Sequence, residues 1–220
     1  MLVYGKNILK ELDTKKIKKA YIASNNYVEY LKSNRIKYEF VDKKRLDKMV
    51  DGNHQNVVLD IFDYDYYKIS DIDSDFIVVL DHIQDPHNLG AIIRTCECAG
   101  IKNIIIPKDR SALINDTVMK ISVGALEYVK IIMVNNINNA LTKLKELNYF
   151  IYSADMDGVN YRKIDYADKR VLVIGNEGSG VSNIVKNNSD EIVRIPMYGN
   201  INSLNASASA AILIYGMLGE

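Results

Sequence analysis

Apolar positions in the second two-thirds of the chain fall in short unbroken runs rather than in alternation. Phe76–Leu80 (FIVVL), Asn103–Ile106, Tyr128–Val134, Phe150–Ala154, Val171–Ile174 and Ile192–Ile195 are such runs. Runs of this length read as strands buried on both faces, the habit of parallel sheets. Helical patterns lie between most of them, at about 88–99, 115–122, 136–147, 180–187 and 204–218. Strand and helix in alternation predict an α/β domain with a doubly wound sheet. The first 70 residues hold a smaller α/β layer. Lys18–Ser24, Lys37–Val41 and Asn56–Phe62 read as strands, Tyr27–Asn34 and Lys43–Val50 as short helices. Asp63–Asp75 then has five aspartates, three tyrosines and little apolar periodicity. Its later part reads as a linker with a boundary near residue 70, dividing the chain into 1–70 and 71–220.

Composition agrees with a packed protein, since 48% of the 220 residues are apolar. Net charge is zero but uneven. Residues 1–70 carry 14 Lys/Arg against 10 Asp/Glu, and residues 71–220 carry 14 against 18. Residues 1–48 alone hold 13 basic and 6 acidic side chains, a balance of +7. That asymmetry hints at a polyanionic partner for the N-terminal part, although charge alone more often means a solvated lysine-rich surface. The two cysteines, Cys96 and Cys98, point to different sides of a predicted helix and make neither a bridge nor a metal clip. Free thiols, no apolar signal segment and no run of membrane-spanning length lead to the expectation of a soluble, cytoplasmic protein without metal or membrane.

Three stretches place polar or flexible residues directly after a strand-like run. They are Asp85-Pro86-His87-Asn88-Leu89-Gly90-Ala91-Ile92-Ile93-Arg94, then Ile174-Gly175-Asn176-Glu177-Gly178-Ser179-Gly180, then Ile195-Pro196-Met197 with Ser203-Leu204-Asn205. The carboxyl ends of strands are where an α/β sheet keeps its ligands, so the three suggest one composite site. The glycine-rich turn is not a P-loop, because Val181-Ser182 stands where a Lys-Ser/Thr pair is needed. It also lacks the third glycine of a dinucleotide fingerprint. Bare backbone there still admits close approach of a nucleotide. Glu177 suits a hydroxyl or amine partner better than a phosphate. Arg94 sits among Ile92, Ile93, Cys96 and Ala99, company in which an arginine often holds a carboxylate or phosphate. Asn88 is also explained as a helix N-cap, and Asn202 or Ser203 as the cap of the last helix. His82 and His87 flank the first stretch without the partners of a metal site or triad.

N-x-G-x-x-x-R, G-N-E-G-x-G and I-P-M…S-L-N, in this order, resemble the SpoU branch of the SPOUT RNA methyltransferases. The likeness is greatest to the bacterial 23S ribosomal RNA guanosine-2′-O-methyltransferases. Val3-Tyr4-Gly5 and Gly52-Asn53-His54-Gln55 resemble that group's small N-terminal, L30e-like RNA-binding domain, and Pro107–Ala112 and Gly124–Glu127 resemble parts of its catalytic domain. The resemblance implies a parallel-sheet domain with a deep trefoil knot, S-adenosylmethionine as cofactor, a homodimer built through the last helix, and no metal. It implies Gly175, Ile195, Leu204 and Ala154 as the cofactor-binding set. It implies Asn88, Arg94, Glu177, Ser203 and Asn205 as the catalytic and RNA-facing set.

The implied chemistry moves a methyl group to a ribose 2′-hydroxyl, most readily in 23S ribosomal RNA. Alternatives are a transfer RNA, an antibiotic-resistance site on ribosomal RNA, a non-catalytic RNA binder of the same fold, and a plain nucleotide-binding regulator. A ribose hydroxyl is a poor nucleophile, so its proton must leave as the methyl arrives. A guanidinium scarcely deprotonates. Arg94 therefore suits the steadying of a forming alkoxide and its phosphate. Glu177 is left to orient Arg94 or to accept the proton through water.

Overall fold

The computed structural model describes residues 1–219. The first sheet is mixed. Strands β1 (Leu2–Tyr4), β2 (Ile17–Ile22), β3 (Tyr38–Phe40) and β4 (Val57–Ile61) lie in the order β1-β4-β2-β3, with β4 antiparallel to both its neighbours and β3 parallel to β2. Helices α1 (Lys6–Glu11), α2 (Val28–Ser33) and α3 (Lys43–Met49) connect them. Asp42 caps α3 by accepting from the Arg45 amide at 2.7 Å. The hydrophobic pattern did not foretell β1 or α1. Three and six residues long, they are too short to carry a period.

The second sheet has six strands: β5 (Phe76–Asp81), β6 (Asn103–Pro107), β7 (Lys130–Val134), β8 (Phe150–Asn160), β9 (Arg170–Gly175) and β10 (Glu191–Arg194). Every pairing is parallel, in the order β10-β8-β9-β5-β6-β7. The unbroken apolar runs have the reason expected. Val78, Leu80, Ile104 and Ile106 face one core with α4 (Pro86–Cys98), α5 (Asp116–Ser122) and α8 (Ala206–Leu218). Ile77, Val79, Ile105 and Ile132 face the other, with α6 (Ile137–Glu146) and α7 (Asn183–Asn187). From β5 the chain steps outward to β6 and β7, then crosses to the far side, where β9 inserts between β8 and β5. That reversal of strand order puts a crevice at the carboxyl ends of β5 and β9.

Two features of the second sheet differ from the sequence reading. First, β8 runs six residues beyond Ala154. Its partner β10 pairs Ile192 with Ser153 but Val193 with Val159, so residues 154–158 bulge out of the ladder. Such a bulge ends pairing locally and re-aims side chains. Gly158 permits it, since a Cβ there would lie 2.4 Å from the Ile192 carbonyl oxygen. Second, the later part of Asp63–Asp75, expected as a linker, is tied down, as the Asp73 amide donates to Asn103 Oδ1 at 3.2 Å and Lys130 pairs with Asp73 at 2.7 Å, and the earlier part is anchored too. The Tyr64 and Tyr66 hydroxyls accept from the amides of Ile131 and Ile114, at 3.2 and 2.8 Å, and Tyr67 bridges to Ile132 beside β7. The tyrosines that looked aperiodic are anchors. The two sheets also share one continuous apolar cluster, and Lys16 pairs with Glu127 across them at 2.8 Å.

After β10 the chain passes through residues 195–205 and returns as α8, which packs on α4, on β9 and on the turn at Tyr161–Lys163. Gly216 allows the last contact, for a Cβ there would overlap the Tyr161 ring at 2.4 Å. Among the described residues no helix is long and apolar enough to cross a membrane.

Candidate active site

A cavity of about 400 Å³ opens at the carboxyl ends of β8, β9 and β10. The β8 bulge supplies Ala154, Asp155 and Met156, the turn after β9 supplies Gly175 to Gly180, and the segment after β10 supplies Ile195, Met197, Ser203 and Leu204. One wall is a tight glycine-rich turn. At Gly175 a Cβ would lie 1.9 Å from the Gly180 carbonyl carbon and 2.1 Å from the Val181 amide nitrogen. No side chain fits there, and the turn closes on itself only because position 175 is glycine. Asn176 shapes that turn by accepting from the amides of Gly178 and Ser179 at 3.0 and 2.8 Å. Leu204 stays 41% exposed, an apolar side chain left at the mouth.

A chain of side-chain bonds crosses the rim. Asn205 Nδ2 donates to Asn88 Oδ1 at 2.9 Å, and Asn88 Nδ2 donates to Glu177 Oε1. Each member comes from a different part of the fold: the start of α8, the first turn of α4 and the turn after β9. Asn205 is doubly used, since its Oδ1 accepts from the Ser207 and Ala208 amides and so caps α8. Asn88 is only 6% exposed, so its amide is a rigid link between the other two. Glu177 itself is exposed, and among the described residues its second oxygen has no partner.

Several sequence-based expectations need correcting here. Asn88 does not cap α4. Asp85 does, accepting from the His87 amide at 2.9 Å, which releases Asn88 for the network. Neither Asn202 nor Ser203 caps α8, because Asn205 holds that place. Glu177 does not orient Arg94. Arg94 is exposed and makes no hydrogen bond or ion pair among the described residues. Six residues separate it from Asn88, which sets it about 9 Å along the helix axis and about 120° round. Gly90, between them, is there for packing: a Cβ would meet Ile121 of α5 at 2.8 Å. Ser203 lines the cavity, exposed and without a polar partner. Cys96 is buried, which pushes its thiol well up, and Cys98 is exposed.

Two carboxylates escaped sequence reasoning. Asp155 lines the cavity and pairs with Lys186 of α7 at 2.8 Å. Burial works against its charge, but the Lys186 ammonium and the nearby amides outweigh burial and hold this carboxyl below its usual range. Asp81, at the end of β5, is only 2% exposed and accepts from the Ser182 amide at 2.7 Å, tying the β9 turn to β5. An acidic residue ending an apolar strand run was the available signal for both.

Comparison with known proteins places these features in a family. A profile of the SpoU rRNA methylase family matches residues 75–215, and a profile described as RNA 2′-O ribose methyltransferase substrate binding matches residues 2–67. The chain is 35% identical over 231 positions to YacO of Bacillus subtilis (strain 168), whose name assigns it provisionally to the TrmH family of tRNA/rRNA methyltransferases. That alignment covers 97% of this chain and 93% of YacO. The AdoMet-bound rRNA methyltransferase from Sinorhizobium meliloti superposes with a TM-score of 0.85 at 26% identity, over 98% of this chain and 85% of that one. The TrmH/SpoU tRNA-modifying enzyme of A. aeolicus superposes with a TM-score of 0.60 at 33% identity, over 66% of this chain and 74% of its own. With one profile spanning most of the second sheet's domain and a full-length relative above a third identical, the chain belongs to the SpoU/TrmH family of RNA methyltransferases.

Proposed function

We propose that this protein transfers a methyl group from S-adenosylmethionine to a ribose 2′-hydroxyl in RNA, most specifically to a guanosine of 23S ribosomal RNA. The observation that carries the reading is a carboxylate, Glu177, held by a buried asparagine at the mouth of a cavity walled in part by the tight 175–180 turn. The cavity suits the cofactor on its own terms. Its volume is within the ordinary range for small-molecule sites. Ile195, Met197 and Leu204 offer apolar contact, and the glycine-rich turn from Gly175 to Gly180 brings backbone to the cavity wall. Ala154, Gly175, Ile195 and Leu204 would hold it.

When bound, the cofactor supplies an electrophilic methyl group on a sulfonium, already a good leaving group. The protein must then position the hydroxyl and take its proton. Asn205 and Asn88 fix Glu177 through one oxygen, and its other oxygen is available to accept the ribose proton, directly or through a water. Ser203, unpartnered at the same mouth, is free to bond the nucleotide. Arg94 remains protonated and serves as a cation for the adjacent phosphate, not as the base. An RNA phosphate is what would bring its free side chain toward the site.

Residues 1–70 are proposed as the RNA-gripping domain and 71–220 as the methyltransferase domain. The substrate-binding profile and the +7 charge of residues 1–48 support this division. Ribosomal RNA is preferred over transfer RNA because the superposition on the A. aeolicus tRNA enzyme leaves a third of this chain unmatched, while that on the S. meliloti rRNA enzyme leaves almost none. Transfer RNA is the second reading, since the name of YacO includes both. Work on such RNA belongs in the cytoplasm. We also propose a homodimer through α8, which is apolar all round yet leaves Tyr215 and Leu218 at 54% and 39% exposure.

Primer-extension mapping of ribose methylation in ribosomal RNA, with and without the gene, tests the substrate. One guanosine stop should vanish on deletion and return with purified protein and S-adenosylmethionine. No change in ribosomal RNA, with methylated transfer RNA instead, selects the second reading. Calorimetry showing no heat with S-adenosylmethionine or its demethylated product would remove the enzyme altogether. Light scattering that finds a monomer at micromolar concentration would remove the dimer.

A further inference from the structure

A second, polar cleft of about 220 Å³ lies beside the cofactor cavity, on the other side of the 176–180 turn. Asn176, Ser179 and Gly180 line both spaces, so this turn is their shared wall, and Glu177 projects from it. The remaining walls are Asp81, His82, Gln84, Arg110 and Ser182. No role in the reaction above uses any of them.

The cleft is built rather than incidental. His82 and Arg110 occupy equivalent places, the turns that follow neighbouring strands β5 and β6. Both have left-handed backbone, with φ of 62° and 54°. Non-glycine residues adopt that conformation rarely, and it persists where surrounding structure enforces it. Here the enforcement is visible. The Ile83 carbonyl accepts from the Ala112 amide at 2.7 Å and from the Ser111 hydroxyl at 3.1 Å, binding the two turns together. The His82 ring is fixed by its Nδ1, 2.6 Å from Asp81 Oδ1, while Asp81 Oδ2 takes the Ser182 amide. Three turns are thus locked around one space. Asp81 is buried behind His82 with both oxygens engaged, so neither oxygen is left facing the space. What remains for a ligand is the Gln84 amide and the Arg110 guanidinium, which has no polar partner among the described residues. A planar fork of donors beside an amide donor matches phosphate oxygens.

We infer that this cleft binds a phosphodiester of the RNA strand next to the methylated nucleotide, with Arg110 as its main ligand and the Gln84 amide as a further donor. The inference rests on the methyltransferase reading, because a ribose at Glu177 brings the neighbouring backbone to the far side of the shared wall. Its role is to set the register of the strand, distinct from the role given to Arg94.

The test uses full-length protein and a fluorescein-labelled ribosomal RNA transcript, with anisotropy measured over a range of KCl concentrations. Arg110→Ala should weaken RNA binding about tenfold and reduce the slope of log K against log salt by about 0.7, the share of one phosphate on a single strand. Arg110→Gly suits the left-handed backbone and should give the same loss, which separates the effect from a folding defect. Arg110→Lys should keep the slope and recover only part of the affinity. Inorganic phosphate, at ionic strength matched to chloride, should compete with RNA poorly but more with wild type than with Arg110→Gly. Competition as strong as that of RNA itself would assign the cleft to a free phosphate ion and overturn the backbone assignment. Affinity and slope unchanged in both Arg110→Ala and Arg110→Gly would overturn the inference outright. Cofactor calorimetry on the same samples keeps the two readings apart: no heat in wild type counts against the methyltransferase, whatever the salt slopes say of the cleft.

Discussion

Around the cavity mouth, Asn205, Asn88 and Glu177 are bonded to one another, whereas Ser203 there and the side chain of Arg94, farther along α4, are bonded to nothing among the described residues. The first group comes from three separate elements and is fixed before any RNA arrives. The second is exposed and costs the fold little to change. Fixed groups can lower a barrier without reorganising, because their order is established during folding. Free groups must be ordered by the substrate and so report on its presence. The difference teaches which substitutions should injure the fold and which only the reaction.

Gly175→Ala should have the largest effect, since it strikes the turn that carries Glu177. A Cβ 1.9 Å from the Gly180 backbone forces the turn open, at a cost of about 3 kcal/mol or more. Melting temperature and cofactor affinity should fall together, and an unperturbed melt would contradict the close-packed turn. Asn88→Ala should come next. It leaves the Asn205 amide and one Glu177 oxygen without their partner, a loss of about 1–3 kcal/mol, less where water enters. Methyl transfer should drop as well. Full turnover with an unchanged melt would show that the asparagine link matters to neither fold nor reaction.

Asn205→Ala should cost about 1 kcal/mol through the lost helix cap, visible in denaturant melts. Asn205→Asp should keep the cap yet lose the bond to Asn88, so its stability should recover more than its turnover. Equal recovery of both would merge the two roles. The smallest effect concerns acid. Asp155 has a folded pKa below its unfolded one, so its contribution is complete above the usual carboxylate value and fades as pH falls through the folded value. Lys186→Met removes the main partner. The variant should melt below wild type near neutrality, and the two melts should converge on acidification. A gap that stays constant with pH would deny the ion pair any part in stability.

The sequence showed the sheet better than it showed the site. The six strands of the second sheet were legible because burial on both faces leaves long apolar runs, as in Phe76–Asp81. The bulge at 154–158 was not, because Asp155, Met156 and Asp157 break the apolar run while remaining inside β8. The short α7 begins at Asn183, three residues later than its pattern suggested, since Gly180 is left-handed at φ 66° and Ser182 is extended. Arg94, Asn88, Glu177 and Asn205 were each visible as residue types out of place. Their pairing was not, for the two rim bonds join residues 89 and 117 positions apart. No local pattern encodes that distance. Tyr64 and Tyr66 teach the same lesson in reverse, as residues without apolar periodicity whose hydroxyls reach distant backbone.

Arg94 offers the most direct test of the division between fixed and free groups. Single-turnover methyl transfer by Arg94→Ala, measured beside its thermal melt and its affinity for S-adenosylmethionine, separates the possibilities. Transfer should fall by roughly 10²–10³, the usual consequence of removing one charge donor from a transition state. The melt should stay within about 0.5 kcal/mol of wild type, as for an unpartnered surface side chain, and cofactor affinity within a few-fold. A folded Arg94→Ala protein with near-normal turnover would contradict the account.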